Sequence, residues 1–537
     1  MSNQSCSGEV AGWVPPGYGE RYVLKEWCGT GETRLCSLVS KDRAHKPMVK
    51  GNGAQRESDG VVVPSMGVQN NAPGGKGPDF GQAGERGKHE GIAGTARYND
   101  LNRLPPVGKV QQLQRQLWLA AKRSPERRFH ALYDRIYRSD VLEEAWKRVR
   151  SNRGAAGVDR ETLAMVEEYG VERMLQELQD ALRAGKYRPS PVRRRDIPKP
   201  DGGVRPLGIP TVRDRVVQQA TRLVLESIFE ADFCASSYGY RPKRSATDAM
   251  ETIRKAFPMG YVFALECDIR GYFDSIDHGR LLEAVGERVC DRRVLKLVRK
   301  WLQAGVMEES VLRETVTGTP QGGVISPLLA NIYLHALDRI CASRGHGTLV
   351  RYADDFVVMC RSQEEAEAAL GLVKEVLTEL GLELHPEKTR IVDLREGRNG
   401  FDFLGCHFHA RVSGRQLERG ERRYYLHRWP SVRSMKRVRE KIRNRTGRNR
   451  VGVRDVRVLI SDLNPILRGW GAYHRTGNAA IKFIVLDRYI VERLRGFLVK
   501  RYGRNLRTGQ SKRWTRDWFE SLGLYRLRGT IRYPGAA

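Results

Sequence analysis

A chain of 537 residues that is 40 % hydrophobic and 29 % charged has room for about two to four folded domains and is too apolar to be disordered throughout. No apolar run approaches the ~20 residues of a membrane span, the N-terminus lacks the basic start and apolar stretch of a secretory signal, and the nine cysteines include no CxxC pair. These absences argue against a membrane, a zinc or a disulfide-framework class and fit a reducing, intracellular setting.

The net charge is +31, and residues 411–537 carry 33 Lys/Arg against 9 Asp/Glu. Such a segment repels itself unless it meets a polyanion. Nucleic acid suits it better than an anionic membrane, because no single basic amphipathic helix stands out.

In chain order, residues 1–106 read as a Gly-rich, disordered leader, with 18 of the 55 glycines falling in residues 1–100 and no sustained period. From Val107, VQQLQRQLWLAAKR and RRFHALYDRIYRSDVLEEAWKRVR place apolar residues at helical spacing. After a break at GAAGVD, VERMLQELQDALRAG resumes it. VRRRDIPKPDGGVRPLGIPT alternates around a PDGG turn, as two strands would. A helix over VRDRVVQQATRLVLESIFE follows, then a strand at YVFALECDI and a helix-rich span to about 304. Beyond GTPQGGVISPLLANIYLHALD come a strand pair in LVRYADDFVVMC, a helix in EEAEAALGLVKEVLTELG and a short strand near GFDFLGCHFH. The alternation predicts an α+β body over 107–410, with an N-terminal extension at about 107–160. Residues 411–537 contain Trp429, Trp470, Trp514 and Trp518 and read as a folded, mainly helical basic domain.

Three carboxylates carry the chemistry. Asp268 ends the apolar strand ALECDI, and Asp354 and Asp355 lie between the apolar flanks LVRY and FVVMC. Adjacent strand residues point to opposite faces, but at a hairpin bend both can approach one point. Carboxylates gathered there repel, and divalent cations relieve the repulsion. A lone DD pair in a hairpin is most often a solvated turn, and apolar flanks weaken that alternative without removing it.

RYADDFVV resembles the YxDD box of reverse transcriptases. RRRDIPKPDGGVRPLGIPTVRDRVVQQA, SYGYRPKRSA, ECDIRGYFDSIDH, GTPQGGVISPLLANIYLHALD, LELHPEKTRIV and GFDFLGCHF resemble, in order, blocks of the group II intron reverse transcriptase/maturase family. ALYDRIYRSDVLEEAWKRVRSNRGAAGVD resembles its N-terminal extension and LNPILRGWGAYHR its maturase (thumb) domain, so the likeness covers roughly 107–537. It implies a right-hand polymerase of fingers, palm and thumb, with fingers and palm in 107–410 and a basic helical thumb/maturase domain in 411–537.

The resemblance also implies roles. Asp268 and Asp354 would ligate metal directly, Asp355 would complete the acidic site, and the Ile269 backbone would help hold one ion. The ions would be two Mg²⁺, with Mn²⁺ a possible substitute. Phe273 would sit beside the nucleotide sugar and leave no room for a 2′-hydroxyl. Lys199 and Arg205 would reach the triphosphate. Gln321 and Gly322 would line the nucleotide pocket. Lys388 resembles the lysine that protonates the pyrophosphate leaving group, with an exposed helix-end lysine as the open alternative. Phe403, Leu404 and Gly405 resemble the loop that grips the primer end. For Phe273, Arg205 and Gly322 the ordinary alternatives are core packing, a solvated cation and a glycine turn.

The expected activity is an RNA-directed DNA polymerase that also binds its intron RNA to assist splicing. Its expected partners are group II intron RNA, an RNA template with a DNA primer, dNTPs and target DNA, without membrane or zinc. The expected location is a bacterial-type cytoplasm, associated with nucleoid or ribonucleoprotein. Cysteine pairs of an appended HNH endonuclease are absent from the sequence, which likens it to the endonuclease-lacking type. Two rival readings are a maturase that only binds RNA, which has no use for the carboxylate cluster, and a retron or diversity-generating reverse transcriptase, which lacks the block at 463–474.

Overall fold

The computed structural model describes residues 108–533, apart from 199–202, 309–310, 314–317, 320–321, 413–416, 448–451, 454, 504–506 and 508. The expected leader, Lys199 and Gln321 lie outside the described residues.

The strands are β1 (Val192–Pro198), β2 (Val204–Ile209), β3 (Phe263–Asp268), β4 (Val306–Glu308), β5 (Val311–Arg313), β6 (Thr348–Tyr352), β7 (Asp355–Cys360), β8 (Arg390–Asp393), β9 (Gly400–Phe403), β10 (Cys406–Val412) and β11 (Tyr424–Pro430). They form three sheets, ordered β2-β1-β4-β5, β6-β7-β3-β8 and β11-β10-β9. The middle sheet is antiparallel throughout and buried on both faces, so its strands read as nearly continuous apolar runs. On one face Phe263, Leu265, Cys267, Phe356 and Val358 join a core shared with the helices Val212–Phe229, Ser326–Arg344 and Gln363–Glu379. On the other, Ala264, Val350, Val357 and Met359 meet Phe401, Phe403 and Phe408 of the third sheet.

The helices Lys109–Arg123 and Ser139–Ser151 pack on Val212–Phe229. The helical spacing in RRFHALYDRI is interrupted: Phe129 forms a bridge with Val289, giving its N–H to Arg288 and its carbonyl to Cys290. The basic C-terminal segment folds as the helices Val432–Arg445, Val456–His474, Ala480–Tyr502 and Arg516–Ser521 around Leu459, Leu463, Leu467, Phe483, Leu486, Ile490 and Phe519. The expected boundary at 410–411 runs through the third sheet, because YYLHRWP pairs with β10 as β11. The helical body begins at Ser431, whose side chain accepts the Ser434 N–H.

Arg351 of β6 is fully buried, at 0 % exposure. Its Nε and Nη2 bind the carboxylate of Asp338, also 0 % exposed, at 2.7 and 2.5 Å. Nη1 reaches Asn331 Oδ1 and the Ala353 carbonyl, both at 3.0 Å, and Nη2 also reaches Ser237 Oγ at 2.9 Å. All five guanidinium N–H groups are therefore used. Asn331 turns its amide to the Gly239 carbonyl at 2.8 Å, and the main chain of Arg351 accepts from Tyr238 and donates to Ser236. The network ties the β6–β7 turn to the helix Ser326–Arg344 and to the SYGY segment.

Replacing Arg351 by Met is expected to cost about 3–5 kcal/mol, because Asp338 stays buried without its partner. Urea unfolding should then show Arg351→Met with Asp338→Leu recovering most of that loss, and Arg351→Lys falling between.

Candidate active site

Residues Ala353 and Asp354 form the two-residue turn between β6 and β7, since Tyr352 pairs with Asp355. Ala353 has φ 60°, a conformation glycine adopts freely and alanine does not. It is held there by Arg351 from below and by Gly239 from the side. A Cβ on Gly239 would come within 2.5 Å of the Ala353 nitrogen, so only glycine fits.

Asp355 opens β7 directly opposite Asp268, the last residue of β3, so the two side chains share a face. Asp354 stands beside them in the turn. The three candidate carboxylates, 86 residues apart in sequence from Asp268 to Asp354, are brought to one sheet end. Burial pushes the Asp355 carboxyl up to about 8, helped by Asp354, Asp268 and Glu266. Burial also raises Asp354, reinforced by Asp268 and opposed by the charge of Arg205.

The candidate grip loop lies on the same carboxylates. Phe403 pairs with Cys406, and Leu404 and Gly405 between them have φ 49° and 75°, the geometry of a type I′ turn. The Leu404 backbone N–H lies near the Asp355 carboxyl and opposes its rise, and the Leu404 carbonyl accepts the Tyr473 hydroxyl at 2.8 Å. The Gly405 carbonyl accepts the Ser431 N–H at 3.0 Å. Phe403 itself is a core side chain, 1 % exposed, so only the turn of the trio is presented outward.

Beyond Asp268 the chain is stitched to residues 383–385. Arg270 N–H bonds the Glu383 carbonyl and His385 N–H bonds the Asp268 carbonyl, flanking an Ile269–Leu384 bridge. Among the described residues no donor reaches the Ile269 carbonyl. The pairing also brings Lys388 Nζ to 2.7 Å from Asp268 Oδ2, so this lysine is an ion-pair partner of the site and not a free helix-end cation.

Phe273 is half-buried and stands edge-on to Tyr272 at 5.2 Å, and its carbonyl takes the Thr319 N–H. Gly322 has φ 118°, and a Cβ there would meet the Gly208 carbonyl of β2 at 2.6 Å, so the glycine lets the two backbones touch. Arg205 is exposed on β2 and close enough to Asp354 to hold its carboxyl down.

Among the described residues no three Asp, Glu, His or Cys side chains are gathered tightly enough to cage a metal alone. The donors at hand are all oxygens, from Asp268, Asp354, Asp355 and the free Ile269 carbonyl. That set fits a hard cation such as Mg²⁺, which completes its shell with water and substrate phosphate.

Sequence reasoning missed Arg351, Asn331, Asp338, Tyr240 and Tyr473 as parts of the site. Tyr240, at φ 59°, packs beside Tyr352 at 6.3 Å and faces Asp354. A lone arginine inside an apolar strand was the available signal for a buried ion pair.

Two family descriptions match the chain. Reverse transcriptase (RNA-dependent DNA polymerase) matches residues 197–408, and Group II intron, maturase-specific domain matches residues 435–516. Protein YkfC of Escherichia coli (strain K12) is 36 % identical over 55 % of this chain and 87 % of its own length. Group II intron-encoded protein LtrA of Lactococcus lactis subsp. cremoris is 42 % identical over 39 % of this chain, and the match spans 35 % of LtrA. The uncharacterized 91 kDa protein in cob intron of Schizosaccharomyces pombe is 29 % identical over 66 % of this chain and 52 % of its own length.

The charge cluster predicts a pH dependence. An unfolded Asp titrates near 3.9, and in the fold Asp355 titrates at about 8. Between those values the fold keeps a proton that the unfolded chain has released. Stability of the metal-free protein should thus fall as pH rises from about 4 to 8 and then level off. Asp355→Asn should melt above the wild type at pH 8, by an amount on the order of 3 kcal/mol, and close to it at pH 4. Mg²⁺ should raise the wild-type melting temperature at pH 8 and leave Asp355→Asn much less affected. Equal melting of the two proteins at pH 8 without metal would remove the buried-charge argument.

Proposed function

Because the chain belongs to the group II intron-encoded reverse transcriptase and maturase family, we propose that it copies its own intron RNA into DNA and binds that RNA to assist splicing and mobility. The reaction class is RNA-directed DNA polymerisation. The observation that carries the reading is the convergence of Asp268, Asp354 and Asp355 at one sheet end, with the Leu404–Gly405 turn beside Asp355.

Asp268, Asp354 and the Ile269 carbonyl would hold Mg²⁺, with Asp355 completing the acidic site. When bound, two such ions supply activation of the primer 3′-hydroxyl and stabilisation of the leaving oxygen in an in-line displacement. The other roles belong to this chain. Lys199 and Arg205 draw the triphosphate of a dNTP, Arg205 from a position that already faces Asp354. The Phe273 ring closes the space a 2′-hydroxyl would need. Gln321 and Gly322 line the nucleotide pocket, where a bare backbone permits close approach. Lys388 neutralises Asp268 before substrate arrives and donates its proton to pyrophosphate as it leaves. The turn at Leu404 and Gly405 holds the primer end over the carboxylates.

The domain reading that supports this is fingers and palm over 107–410, thumb and maturase over 411–537, and a leader over 1–106. Its thumb would grip the primer–template duplex through phosphate contacts and the intron RNA by shape. Target DNA is the further partner, and a bacterial-type ribonucleoprotein in the cytoplasm is the setting. No helix among the described residues is long and apolar enough to cross a membrane. A pure RNA-binding role is disfavoured, since it leaves the cost of three gathered carboxylates unexplained.

Primer extension on an RNA template with Mg²⁺ and dNTPs tests the reading. Folded protein that incorporates no dNTP would reject it. Asp354→Ala should lower the extension rate by about 10³-fold, equivalent to roughly 4 kcal/mol of barrier. Intron splicing measured in parallel should change by less than about threefold, since the RNA supplies that chemistry; an equal loss would refute the separation of roles. Phe273→Val should raise ribonucleotide relative to deoxyribonucleotide incorporation by roughly tenfold or more, read from competing single-nucleotide additions.

A further inference from the structure

The third sheet has a second face. Its inner residues Cys406, Phe408, Ala410 and Leu426 are buried against the palm. The alternate positions on β10 and β11 are His407, His409, Arg411, Tyr425, His427 and Trp429, and the register sets them in cross-strand pairs: His407 with Trp429, His409 with His427, Arg411 with Tyr425. All are half-buried or exposed. The solvent face of an ordinary sheet carries short polar or charged residues. This one carries flat rings and guanidinium, with no aliphatic side chain among them.

The rings are already arranged as a surface. Trp429 lies 5.3 Å from His407 and 6.0 Å from His409, the latter inclined by only 28°. The Arg411 guanidinium sits over the Trp429 ring at 4.6 Å, and Arg423 over Tyr425 at 5.7 Å. On the described residues of this face the one carboxylate is Asp402, which is bonded to His407 Nδ1 at 2.7 Å. The described residues 417–423 leading into β11 add three Arg against two Glu. The charge complements a polyanion, and the rings complement unpaired bases.

We infer that this face is a stacking platform for single-stranded RNA, extending from the primer-grip turn. Base stacking on aromatic rings and on arginine planes is how proteins hold unpaired nucleotides, and it needs the bases splayed out of a duplex. The histidines favour RNA over DNA: Nδ1 of His407 donates to Asp402 and Nδ1 of His409 to the Ala410 carbonyl, which leaves each Nε2 as a partner for a 2′-hydroxyl. The platform begins beside the turn, at the pair His407–Trp429, and ends at Arg411–Tyr425 four residues along, about 13 Å away at strand rise. That length suits about three to four stacked nucleotides at roughly 3.4–5 Å each. The inference rests on the reading above that the chain binds RNA, and it names a place for that contact outside the carboxylate site.

The test uses the full chain and a 12-nucleotide oligo(rA), with oligo(dA) as the second arm, titrated by fluorescence anisotropy. Trp429→Ala should weaken oligo(rA) binding roughly tenfold, the worth of one lost base stack, and Trp429→Phe should restore most of it. His409→Ala should weaken oligo(rA) more than oligo(dA). In the wild type, a 4-thiouridine-substituted 12-mer should photo-cross-link to peptides from β10 and β11. Unchanged binding in both alanine variants, a loss in Trp429→Phe as large as in Trp429→Ala, or a greater effect on oligo(dA) would each overturn the proposal. So would the absence of any cross-link to these strands, a readout that holds even if Trp429→Ala fails to fold. Primer extension is scored separately: a wild type that binds and cross-links here but does not polymerise would sink the polymerase reading and leave this one standing.

Discussion

The site depends on one buried ion pair. Arg351 and Asp338 are both fully enclosed, and a charge in that position is tolerated only when every hydrogen bond is made. Here all five guanidinium donors find partners, and the four partner residues belong to three segments that must meet for the site to exist. Asp338 and Asn331 come from the helix behind the sheet, Ser237 from the SYGY segment, and the Ala353 carbonyl from the turn itself. An apolar pair could fill the same volume. It could not fix the direction of the Ala353 carbonyl, and that direction decides where Asp354 and Asp355 stand.

The same neighbourhood concentrates what a protein usually avoids. Ala353, Leu404 and Tyr240 all occupy positive φ without being glycine. Asp268, Asp354 and Asp355 are gathered where burial opposes their charge. Such features persist only when surrounding structure over-determines them, and they mark sites where a ligand resolves the conflict. Within the chain the conflict is eased in part by Lys388 on Asp268, by the Leu404 N–H near Asp355 and by Arg205 near Asp354. Each of these is a substitute that a cation or a phosphate can displace.

Much of this was legible in the sequence because chemistry at a strand end leaves a local mark. An Asp closing an apolar run and an Asp pair between two apolar runs could be read directly, and LVRYADDFVVMC read as a strand pair. The register that sets Asp268 across from Asp355 was not legible, since it arises from long-range pairing. β11 was missed because YYLHRWP sits in a segment whose charge and neighbours read as helical. Its alternation is visible only once β10 supplies a partner. Arg351 was overlooked inside the quoted motif because a single cation in a strand gives no sign of its acceptor, and Asp338 lies 13 residues upstream on a helix that is apolar all round. Lys388 was read for what it does to a leaving group, and its pairing with Asp268 depends on the stitch at 383–385.

The turn at Leu404 and Gly405 joins the basic helical segment to the carboxylate cluster. Leu404 sets its N–H near the Asp355 carboxyl and accepts the Tyr473 hydroxyl with its carbonyl, so one residue links the carboxylate cluster to the helix Val456–His474. One residue on, His474 is 4 % exposed between Cys406 Sγ at 3.4 Å and Ser434 Oγ at 3.1 Å. Burial lowers its pKa to about 3, so this junction stays neutral at any physiological pH and its hydrogen bonds do not change with protonation. Arg428 crosses the same seam, bonding Thr476 from β11. A segment joined by a flexible linker would move without regard to the carboxylates. This one is bonded to the turn beside them, through Tyr473 and Ser431, so the position of its helices bears directly on the surroundings of Asp355.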